Sequence, residues 1–479
     1  MSFLNGGRRH RQPRVLIHLD ERRRDVPVLL ALRRLFEGAG CHVLLSTRRT
    51  TLRLLRRISF EAVMLPSMSH IPHDEIPAIS SRSKLYVLPT EGALFGEGPL
   101  LYKYGGGPDP SERDRRIRAV RRFFLWGDYS RRILLSSGHF RPEPLLVVGS
   151  PRMDFFLVPP SPIRTELRRS QLPGLIGDFG FLNSYTGIHI FQQIDAARDG
   201  AGHYFHSSRG VEDRFWIQIA GFRIWLEFFD ECRRRGLRTL VRIHPGEDMG
   251  AYHYLQHKYP DVLSFEGQEI PFEAWLDRVG ILLGFNSTTF FEAVAYNKPA
   301  ISLLGLLGPR LRDHTQDFPQ NHYPIMDRLP TPASLEQLFD QMEEIYRGTW
   351  KGDRVFGPEA KALLRDVYHF PRSSSTLAQV VQSVLADFGE SVSPPSLDNM
   401  MAEARARSEA KALEFFTFKV RRDSQNSSWF PLTLSQFERQ HAAEILRYLG
   451  AAEQFPAQIA SNSSVAEMDI AANARAERR

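Results

Sequence analysis

Cysteine is scarce in this sequence of 479 residues, which contains only Cys41 and Cys232. Both lie inside segments with apolar periodicity, so they are predicted to be buried side chains and not parts of a disulfide or a zinc site. Long apolar runs are also missing, because stretches such as 301–308 are far shorter than the ~20 residues that cross a bilayer. The N-terminus has no apolar stretch before its basic cluster, which argues against a secretory signal. These absences predict a cytoplasmic protein without an integral membrane segment.

Positive charge is concentrated in the first 150 residues. This part has 26 Lys and Arg against 14 Asp and Glu, a net charge of +12, whereas the whole chain carries +7. The arginine clusters are Arg22-Arg23-Arg24, Arg48-Arg49, Arg53, Arg56-Arg57, Arg115-Arg116, Arg118, Arg121-Arg122 and Arg131-Arg132. Such a face fits anionic lipid headgroups or a polyanionic acceptor, and a solvated arginine-rich surface explains it equally well. Nucleic acid is not an expected partner, since no zinc-finger spacing or aromatic RNA-binding signature accompanies the arginines.

Strand-like apolar runs alternate with helical patterns along most of the chain. The alternation begins at residue 14 and restarts after a proline-rich stretch at 159–162, which predicts an α/β fold with two Rossmann-like, doubly wound parallel sheets. The predicted divisions are a basic tail (1–13), an N-terminal domain (14–158), a linker (159–172), a C-terminal domain (173–390), a helical extension (391–455) and a disordered tail (456–479).

Polar residues follow two predicted strands of the second domain. His244, Pro245 and Glu247 follow the apolar run that contains Arg242, and a Ser-Thr-Thr turn at 287–289 follows another run. The carboxyl edge of a parallel sheet and the helix starts at that edge bind phosphates, so both segments are candidates for a nucleotide-sugar pocket. Structural explanations compete with this interpretation. Thr289 and Glu292 have the spacing of a capping box, and a lone histidine is more often structural.

An acid followed by glycine ends a predicted strand of the first domain. Glu91 and Gly92 come just after the run 84–88. Glycine lets a ligand approach closely while the strand fixes the acid, so these residues are candidates for a cleft. A plain loop acid is the alternative.

Four segments in a fixed order resemble a known motif set. They are Gly149-Ser150-Pro151-Arg152-Met153-Asp154, Phe179-Gly180-Phe181-Leu182-Asn183, Arg242-Ile243-His244-Pro245-Gly246-Glu247, and Asn286-Ser287-Thr288-Thr289 through Glu292-Ala293 to Lys298-Pro299. This order resembles that of bacterial surface-carbohydrate biosynthesis proteins with a GT-B fold. Similar motifs occur in non-hydrolysing UDP-GlcNAc 2-epimerases, CDP-glycerol glycerophosphotransferases and capsule-type Kdo transferases. The resemblance covers roughly residues 14 to 310.

The resemblance implies two Rossmann-like domains that face each other across a cleft, followed here by the helical extension. It assigns the donor-nucleotide site to His244, Pro245, Ser287, Thr288, Thr289 and Glu292, to which we add the neighbouring Arg242 and Glu247. Further candidates for the cleft are Gly92, Gly149, Arg152, Asp154 and Asn183. Glu91 is the predicted catalytic residue, as general base or nucleophile, although Thr90 stands where the family tends to have a more acidic stretch.

The predicted function is that of a metal-independent glycosyltransferase. It would move a sugar from a CMP-, UDP- or CDP-linked donor to a glycan or lipid-linked acceptor, as in capsule or lipopolysaccharide synthesis. No Asp-x-Asp motif accompanies the pocket segments, and no cofactor besides the donor is implied. The arginine-rich domain would contact anionic lipid at the inner face of the inner membrane. A 2-epimerase, a glycerophosphotransferase and a non-catalytic scaffold subunit of a polysaccharide assembly complex stay open as alternatives.

Overall fold

The computed structural model forms two compact units. It describes residues 12–19, 22–90, 94–106, 109–153, 173–177, 208–243, 253–266, 272–285, 287–296, 298–308, 323–347, 358–369 and 375–388. The first unit comprises residues 1–91, 97–154 and 367–479, and the second comprises 92–96 and 155–366. Within the described residues, no helix has the length and apolar character needed to span a bilayer.

A parallel sheet of six strands forms the core of the first unit. The strands are β1 (Arg14–Leu19), β2 (His42–Thr47), β3 (Ala62–Leu65), β4 (Leu85–Val87), β5 (Val120–Leu125) and β6 (Leu145–Val147), in the order β2-β1-β3-β4-β5-β6. Their helices are α1 (Arg22–Gly38), α2 (Arg48–Arg57), α3 (Ile76–Ser80), α4 (Glu97–Gly105), α5 (Pro110–Ala119) and α6 (Asp128–Ser136). The β1, β3 and β4 side chains are all buried, as expected for parallel strands whose two faces are both covered.

A second parallel sheet forms the core of the second unit. Its strands are β7 (Pro173–Gly177), β8 (Thr239–Ile243), β9 (Leu263–Glu266), β10 (Ile281–Gly284) and β11 (Ala300–Ser302), in the order β11-β10-β7-β8-β9. The sheet therefore grows in one direction from β7 to β9 and then resumes on the other side of β7 with β10. This is the Rossmann strand order, and the direction reverses between β7 and β10.

Helices with apolar faces surround the second sheet. They are α7 (Ser208–Arg235), α8 (His253–Lys258), α9 (Phe272–Arg278), α10 (Thr289–Ala295), α11 (Leu335–Tyr346) and α12 (Pro358–Val367). The long helix α7 inserts Trp225, Phe228 and Phe229 into the core, each no more than 1% exposed. Helix α11 starts with Ser334, whose hydroxyl accepts from the Gln337 N–H at 3.2 Å. This cap satisfies one of the donors that a helix start leaves unpaired.

The last described helix belongs to the first unit, which corrects the domain boundary predicted at residue 390. Helix α13 (Thr376–Ala386) packs against α1. Just after it, the Asp387 carboxylate accepts hydrogen bonds from Arg121 at 2.9 Å and from Arg122 at 2.8 Å. Chain order placed this segment with the second sheet, whereas these long-range ion pairs and helix contacts tie it to the first.

A second correction concerns residues 92–96, which were predicted to belong to the N-terminal domain. They belong to the second unit, where Phe95 is buried against Phe291 and Tyr323. The burial and stacking of the Phe95 ring against these residues, which are distant in sequence, stabilise its place in the second unit.

The predicted α/β class with two doubly wound parallel sheets is confirmed. Both cysteines are buried, as expected. Burial raises the pKa of Cys41 to about 11 and that of Cys232 to about 12. The predicted linker (159–172), extension (391–455) and terminal tails (1–13 and 456–479) lie almost wholly outside the described residues.

Candidate functional site

The reversal of strand order in the second sheet marks the place where a ligand would bind. In open parallel sheets, ligands bind outside the carboxyl ends of the strands at such a reversal. Leu175 of β7 is in register with Leu283 of β10 on one side and Val241 of β8 on the other. The carboxyl ends of β8 and β10 therefore flank that of β7, and the predicted donor-site segments follow these two strands.

Ser287 lies at the turn that follows β10. Its Oγ accepts a hydrogen bond from the Thr289 N–H at 3.3 Å and another from the Thr289 hydroxyl at 2.9 Å. A hydroxyl oxygen that accepts two hydrogen bonds still has its own proton to donate. Because Ser287, Thr288 and Thr289 are all half-buried, this turn presents hydroxyl groups at the carboxyl edge of the sheet without exposing them fully to water.

Helix α10, which begins at Thr289, has its first backbone donors engaged within the turn. The Phe290 N–H bonds to the Ser287 carbonyl at 3.3 Å, and the Phe291 N–H bonds to the Thr288 carbonyl at 3.1 Å. Thr288 is the residue that precedes the helix, so Thr289 and Glu292 do not occupy the positions of a capping box. A ligand at this turn would meet side-chain hydroxyls more readily than the helix N–H groups.

Glu292 is held on the buried side of α10. It is 4% exposed, and its neighbours Phe291 and Ala293 are fully buried. Burying a carboxylate costs free energy unless the group is paired or hydrogen-bonded. Glu292 lies about one turn beyond the hydroxyl-bearing residues, and the donor-nucleotide-binding role predicted for it stays a prediction.

Arg242 lies on β8, one residue before the strand ends. The side chain is half-buried, and its guanidinium carbon stands 5.5 Å from the centroid of the Phe272 ring. A guanidinium over an aromatic face is attracted electrostatically to the ring, which restricts where the charge can lie. The second unit thus has a positioned cation on one strand flanking β7 and a hydroxyl turn after the other.

Of the site residues predicted in the first unit, the structure describes Gly149 and Arg152, which lie just after β6. Gly149 has a φ of +102°, and a Cβ there would collide with the His369 carbonyl and lie 2.8 Å from the Thr376 hydroxyl. Close packing of the chain before α13 therefore explains the glycine. Arg152 is half-buried in the turn that follows.

Thr90 has an unusual environment. The residue is 1% exposed, and its hydroxyl has no hydrogen-bond partner among the residues that the structure describes. Buried hydroxyls are nearly always paired, so an exception beside the predicted catalytic acid is a place where a ligand group would fit. The other sequence candidates Glu91, Gly92, Asp154, Asn183, His244, Pro245 and Glu247 lie outside the described residues, and their roles stay predictions.

Two aromatic contacts, one in each unit, were not predicted from the sequence. Trp126 donates from its indole N–H to the Pro89 carbonyl at 2.9 Å, and Phe95 stacks on Phe291 of α10. Phe95 follows Glu91 by four residues, in a short apolar stretch with no periodicity. The sequence therefore carries no local signal for either contact.

The two units are parallel α/β sheets, and the second has a Rossmann strand order with polar groups at its reversal point. No protein-family model matches the sequence, and no curated protein matches it. No arrangement of three or more His, Cys, Asp or Glu suited to a metal ion occurs in the described part of the chain.

The structure is similar to solved structures of two kinds. One kind is UDP-GlcNAc 2-epimerase. The enzyme from Methanocaldococcus jannaschii in complex with UDP-GlcNAc and UDP is 11% identical, covering 78% of this chain and 99% of that one with a TM-score of 0.44. The enzyme from Neisseria meningitidis bound to UDP-GlcNAc is 12% identical, covering 78% and 100% with a TM-score of 0.40.

The other kind is the wall teichoic acid polymerase TagF, which is 9% identical and covers 84% of this chain and 90% of that one with a TM-score of 0.44. UDP-GlcNAc 2-epimerases are also among the proteins that the ordered sequence motifs resemble. At such low identity, the activity of this chain has to be inferred from its own residues.

Proposed function

We propose that this protein is a glycosyltransferase of surface-carbohydrate biosynthesis that uses a nucleotide-activated sugar. The observation that supports this most is the hydroxyl turn at Ser287–Thr289, placed at the reversal point of a Rossmann-type sheet. Arg242 on β8, the strand on the other side of β7, supplies a cation. Hydroxyl and guanidinium donors are the groups that bind phosphate oxygens.

In the proposed reaction, the bond between the anomeric carbon and the phosphate oxygen of the donor breaks, and the nucleotide leaves with the electron pair. Arg242, His244 and the Ser287 hydroxyl stabilise the negative charge that develops on the phosphate. The acceptor hydroxyl oxygen forms the new bond to the anomeric carbon. Its proton passes to the Glu91 carboxylate, which acts as general base.

Nucleotide binding tests the donor site directly. His244→Ala and Ser287→Ala should each weaken the binding of CMP, UDP or CDP about tenfold, because each removes one hydrogen bond to a charged group, worth about 1.5 kcal/mol. Titration calorimetry measures the affinity. The matched control is His257→Ala on α8, an exposed histidine that should leave the affinity unchanged. Unchanged affinity in both test variants would remove these residues from the site.

A panel of nucleotide sugars, with and without acceptor, separates the possible activities. Nucleotide release that requires an acceptor supports the transferase. Interconversion of the sugar without an acceptor would instead show an epimerase, and transfer of a glycerophosphate unit from CDP-glycerol would show a glycerophosphotransferase. If no nucleotide binds and none of the donors is turned over, the proposal is wrong and the scaffold alternative is favoured.

We also propose that the first unit contacts anionic lipid, where a lipid-linked acceptor would be found. A groove of about 550 Å³ lies at the amino edge of the first sheet. Its charged lining residues are Lys84, Arg118, Arg121, Arg122 and Glu143. Because Arg121 and Arg122 also pair with Asp387, the balance is four cations against two acids, which leaves a net positive surface that suits phosphate headgroups.

A further inference from the structure

The first sheet also has a reversal of strand order. In the order β2-β1-β3-β4-β5-β6, the sheet grows from β1 to β2 on one side and resumes with β3 on the other side of β1. By the rule that applies to the second sheet, a ligand is expected outside the carboxyl ends of β1 and β3. None of the site residues predicted from the sequence follows either of these two strands.

Two histidine rings meet at this reversal point. His18 is the last residue but one of β1, and His70 ends the short 3₁₀ helix (Met68–His70) that follows β3. The ring centroids are 4.6 Å apart, and the ring planes are tilted by 41°. His18 is 2% exposed, whereas His70 is half-buried. The pair therefore consists of an inner ring and an outer ring that lies nearer to solvent.

A chain of hydroxyl groups holds the inner ring. The His18 Nδ1 is 2.8 Å from the Thr51 Oγ1, and this oxygen is 2.6 Å from the Ser46 Oγ. Both hydroxyls can turn, so the chain can donate to His18 or accept from it without losing a hydrogen bond. His18 can therefore keep its orientation in either neutral tautomer and when it is protonated.

Two buried cations lie around the segment that carries His70. A Cβ on Gly106 would stand 2.8 Å from the Ser69 backbone nitrogen and 3.1 Å from the Arg116 Cδ, so the arginine side chain lies beside that segment. Arg116 is 7% exposed and donates to the Gly106 carbonyl. Lys103, on the helix α4 that packs against the same segment, is 6% exposed.

Two acids of the first unit have to be weighed against these cations. Glu112 pairs with Arg116 at 3.4 Å and with His73 at 3.2 Å, and Asp25 is buried in the first turn of α1. The acids balance the two cations, and the histidine pair adds N–H donors and the capacity to take up a proton. A ligand with negative charge and several acceptor oxygens suits such a pair, because it stabilises the protonated imidazole. Phosphate is a group of this kind.

Thr90 provides a second observation at the same edge. Strand β4 lies beside β3, and the Leu88 N–H bonds to the Leu65 carbonyl at 2.8 Å, so Thr90 lies beyond the carboxyl end of β4. Its hydroxyl is buried and has no hydrogen-bond partner within the described ranges. Buried hydroxyls are nearly always paired, so a ligand oxygen at this edge would supply the missing acceptor.

We propose that the carboxyl edge of the first sheet binds a phosphate group, to which His70 and Thr90 donate hydrogen bonds while His18 supports the His70 ring. The site lies wholly within the first unit. It goes beyond the proposed function, because phosphate can bind there whichever reaction the chain catalyses. The phosphate belongs to a soluble ester or to a lipid headgroup, two sources that carry the same group.

Carbethoxylation of histidine by diethyl pyrocarbonate, located by mass spectrometry, tests the site in the wild-type protein. Saturating inorganic phosphate should slow the modification of His70 roughly tenfold, because the occupied site is protected. The control is His139, another half-buried histidine of the first unit, which bonds to Asp114 at 2.9 Å and should react at an unchanged rate. A His70 that reacts equally fast with and without phosphate would overturn the proposal.

Two variants test the proposed donors by calorimetry with inorganic phosphate, in a Ser287→Ala background that weakens the proposed donor site. His70→Phe and Thr90→Val should each lower the affinity about tenfold, because each removes a hydrogen bond to a charged group. His139→Phe should leave it unchanged. Without phosphate, Thr90→Val should raise Tm, since it removes a buried hydroxyl that has no described partner. Unchanged affinity in both variants would contradict the assignment.

Two further probes identify the source of the phosphate. Dihexanoyl phosphatidic acid and glycerol 3-phosphate carry the same group with and without acyl chains. Stronger protection of His70 by the lipid assigns the phosphate to a headgroup, and equal protection assigns it to a soluble ester. Nucleotide binding without protection of His70 by phosphate would contradict this proposal alone. Protection of His70 in a protein that binds no nucleotide would contradict the proposed function alone.

Discussion

At the residue scale, two separate features favour glycine at position 149, its backbone conformation and the lack of space for a side chain. Its φ of +102° is a backbone conformation that L-residues with a side chain adopt at a cost. The His369 carbonyl also occupies the space where a Cβ would stand. Gly138 has a φ of +75° but nothing within 4 Å of its Cβ position. The two glycines therefore separate the cost of conformation from the cost of crowding.

We expect Gly149→Ala to destabilise the first unit more than Gly138→Ala does. Gly138→Ala should cost about 1–2 kcal/mol, the penalty for a left-handed residue with a Cβ. Gly149→Ala should cost about 1–3 kcal/mol more, because the chain at His369 has to move. Urea unfolding followed by circular dichroism measures both. Equal losses of unfolding free energy in the two variants would mean that the segment before α13 moves away from the new Cβ at little cost.

Gly149 and Phe95 also show what could be predicted from single residues. Gly149 was selected by its motif, and the structure supplies a packing reason that the motif does not contain. Phe95 could not have been selected, since its partner Phe291 lies in a distant part of the chain and no local pattern joins them. The position of Ser287 in a turn between a strand and a helix was predictable, in contrast, because a strand, a hydroxyl cluster and a helix start are adjacent in sequence; its role in donor binding stays a prediction.

At the scale of elements, α13 is held at its end by a charged cluster. Arg121 and Arg122 both donate to the Asp387 carboxylate, which is 4% exposed. Burial by itself would raise the pKa of Asp387, but the hydrogen bonds from Arg122 and Arg121 outweigh it and lower this pKa below the ordinary value. The carboxylate is thus more favourable in the folded protein than in the unfolded chain.

Asp387→Asn should therefore destabilise the first unit in a pH-dependent way. Because the folded-state pKa is lowered, the stabilisation is complete above the ordinary carboxyl pKa of about 4 and is lost as pH falls through the folded-state value. At pH 7 we expect a loss of about 1–3 kcal/mol, shrinking towards zero as the pH is lowered through that value. Urea unfolding across pH 3–7 measures it. Asp340→Asn, at an exposed acid on α11, is the control.

The sequence predicted the strands and helices more completely than it predicted the unit to which each of them belongs. Periodicity and apolar runs indicate strands and helices locally, and both parallel sheets were found where the sequence placed them. The assignment of α13 failed because its partners Arg121 and Arg122 lie 266 and 265 residues away. Local sequence patterns contain no information about contacts between residues that are so far apart in the chain.

At the scale of the whole molecule, part of the positive charge of the first 150 residues lies together at one edge of the first sheet. The cations at the amino edge of the first sheet line a groove, with Arg118 exposed and Arg121 57% exposed. This edge is opposite the carboxyl ends of the same strands, so lipid contact here leaves the carboxyl edge of the sheet accessible. The sequence indicated an arginine-rich domain, but only the sheet order shows which arginines converge.

We expect the protein to bind vesicles that contain phosphatidylglycerol and to lose most of this binding in the double variant Lys84→Glu, Arg118→Glu. Vesicle sedimentation at two salt concentrations measures it, and binding should weaken at higher salt because exposed charges are screened. Arg365→Glu, at an exposed position of α12 in the second unit, should bind like the wild type. Equal binding by all three proteins would place the lipid contact elsewhere.

The return of residues 367–388 to the first unit also has a consequence for how the protein is made. The six strands of the first sheet are complete once residue 147 has been synthesised, but α13 and Asp387 leave the ribosome only some 240 residues later. At about 5–20 residues per second, the nascent first sheet waits roughly 10 to 50 seconds for its last helix. During this time the surface of α1 that α13 covers is exposed, so a chaperone that binds apolar surfaces would find it open throughout synthesis of the second unit.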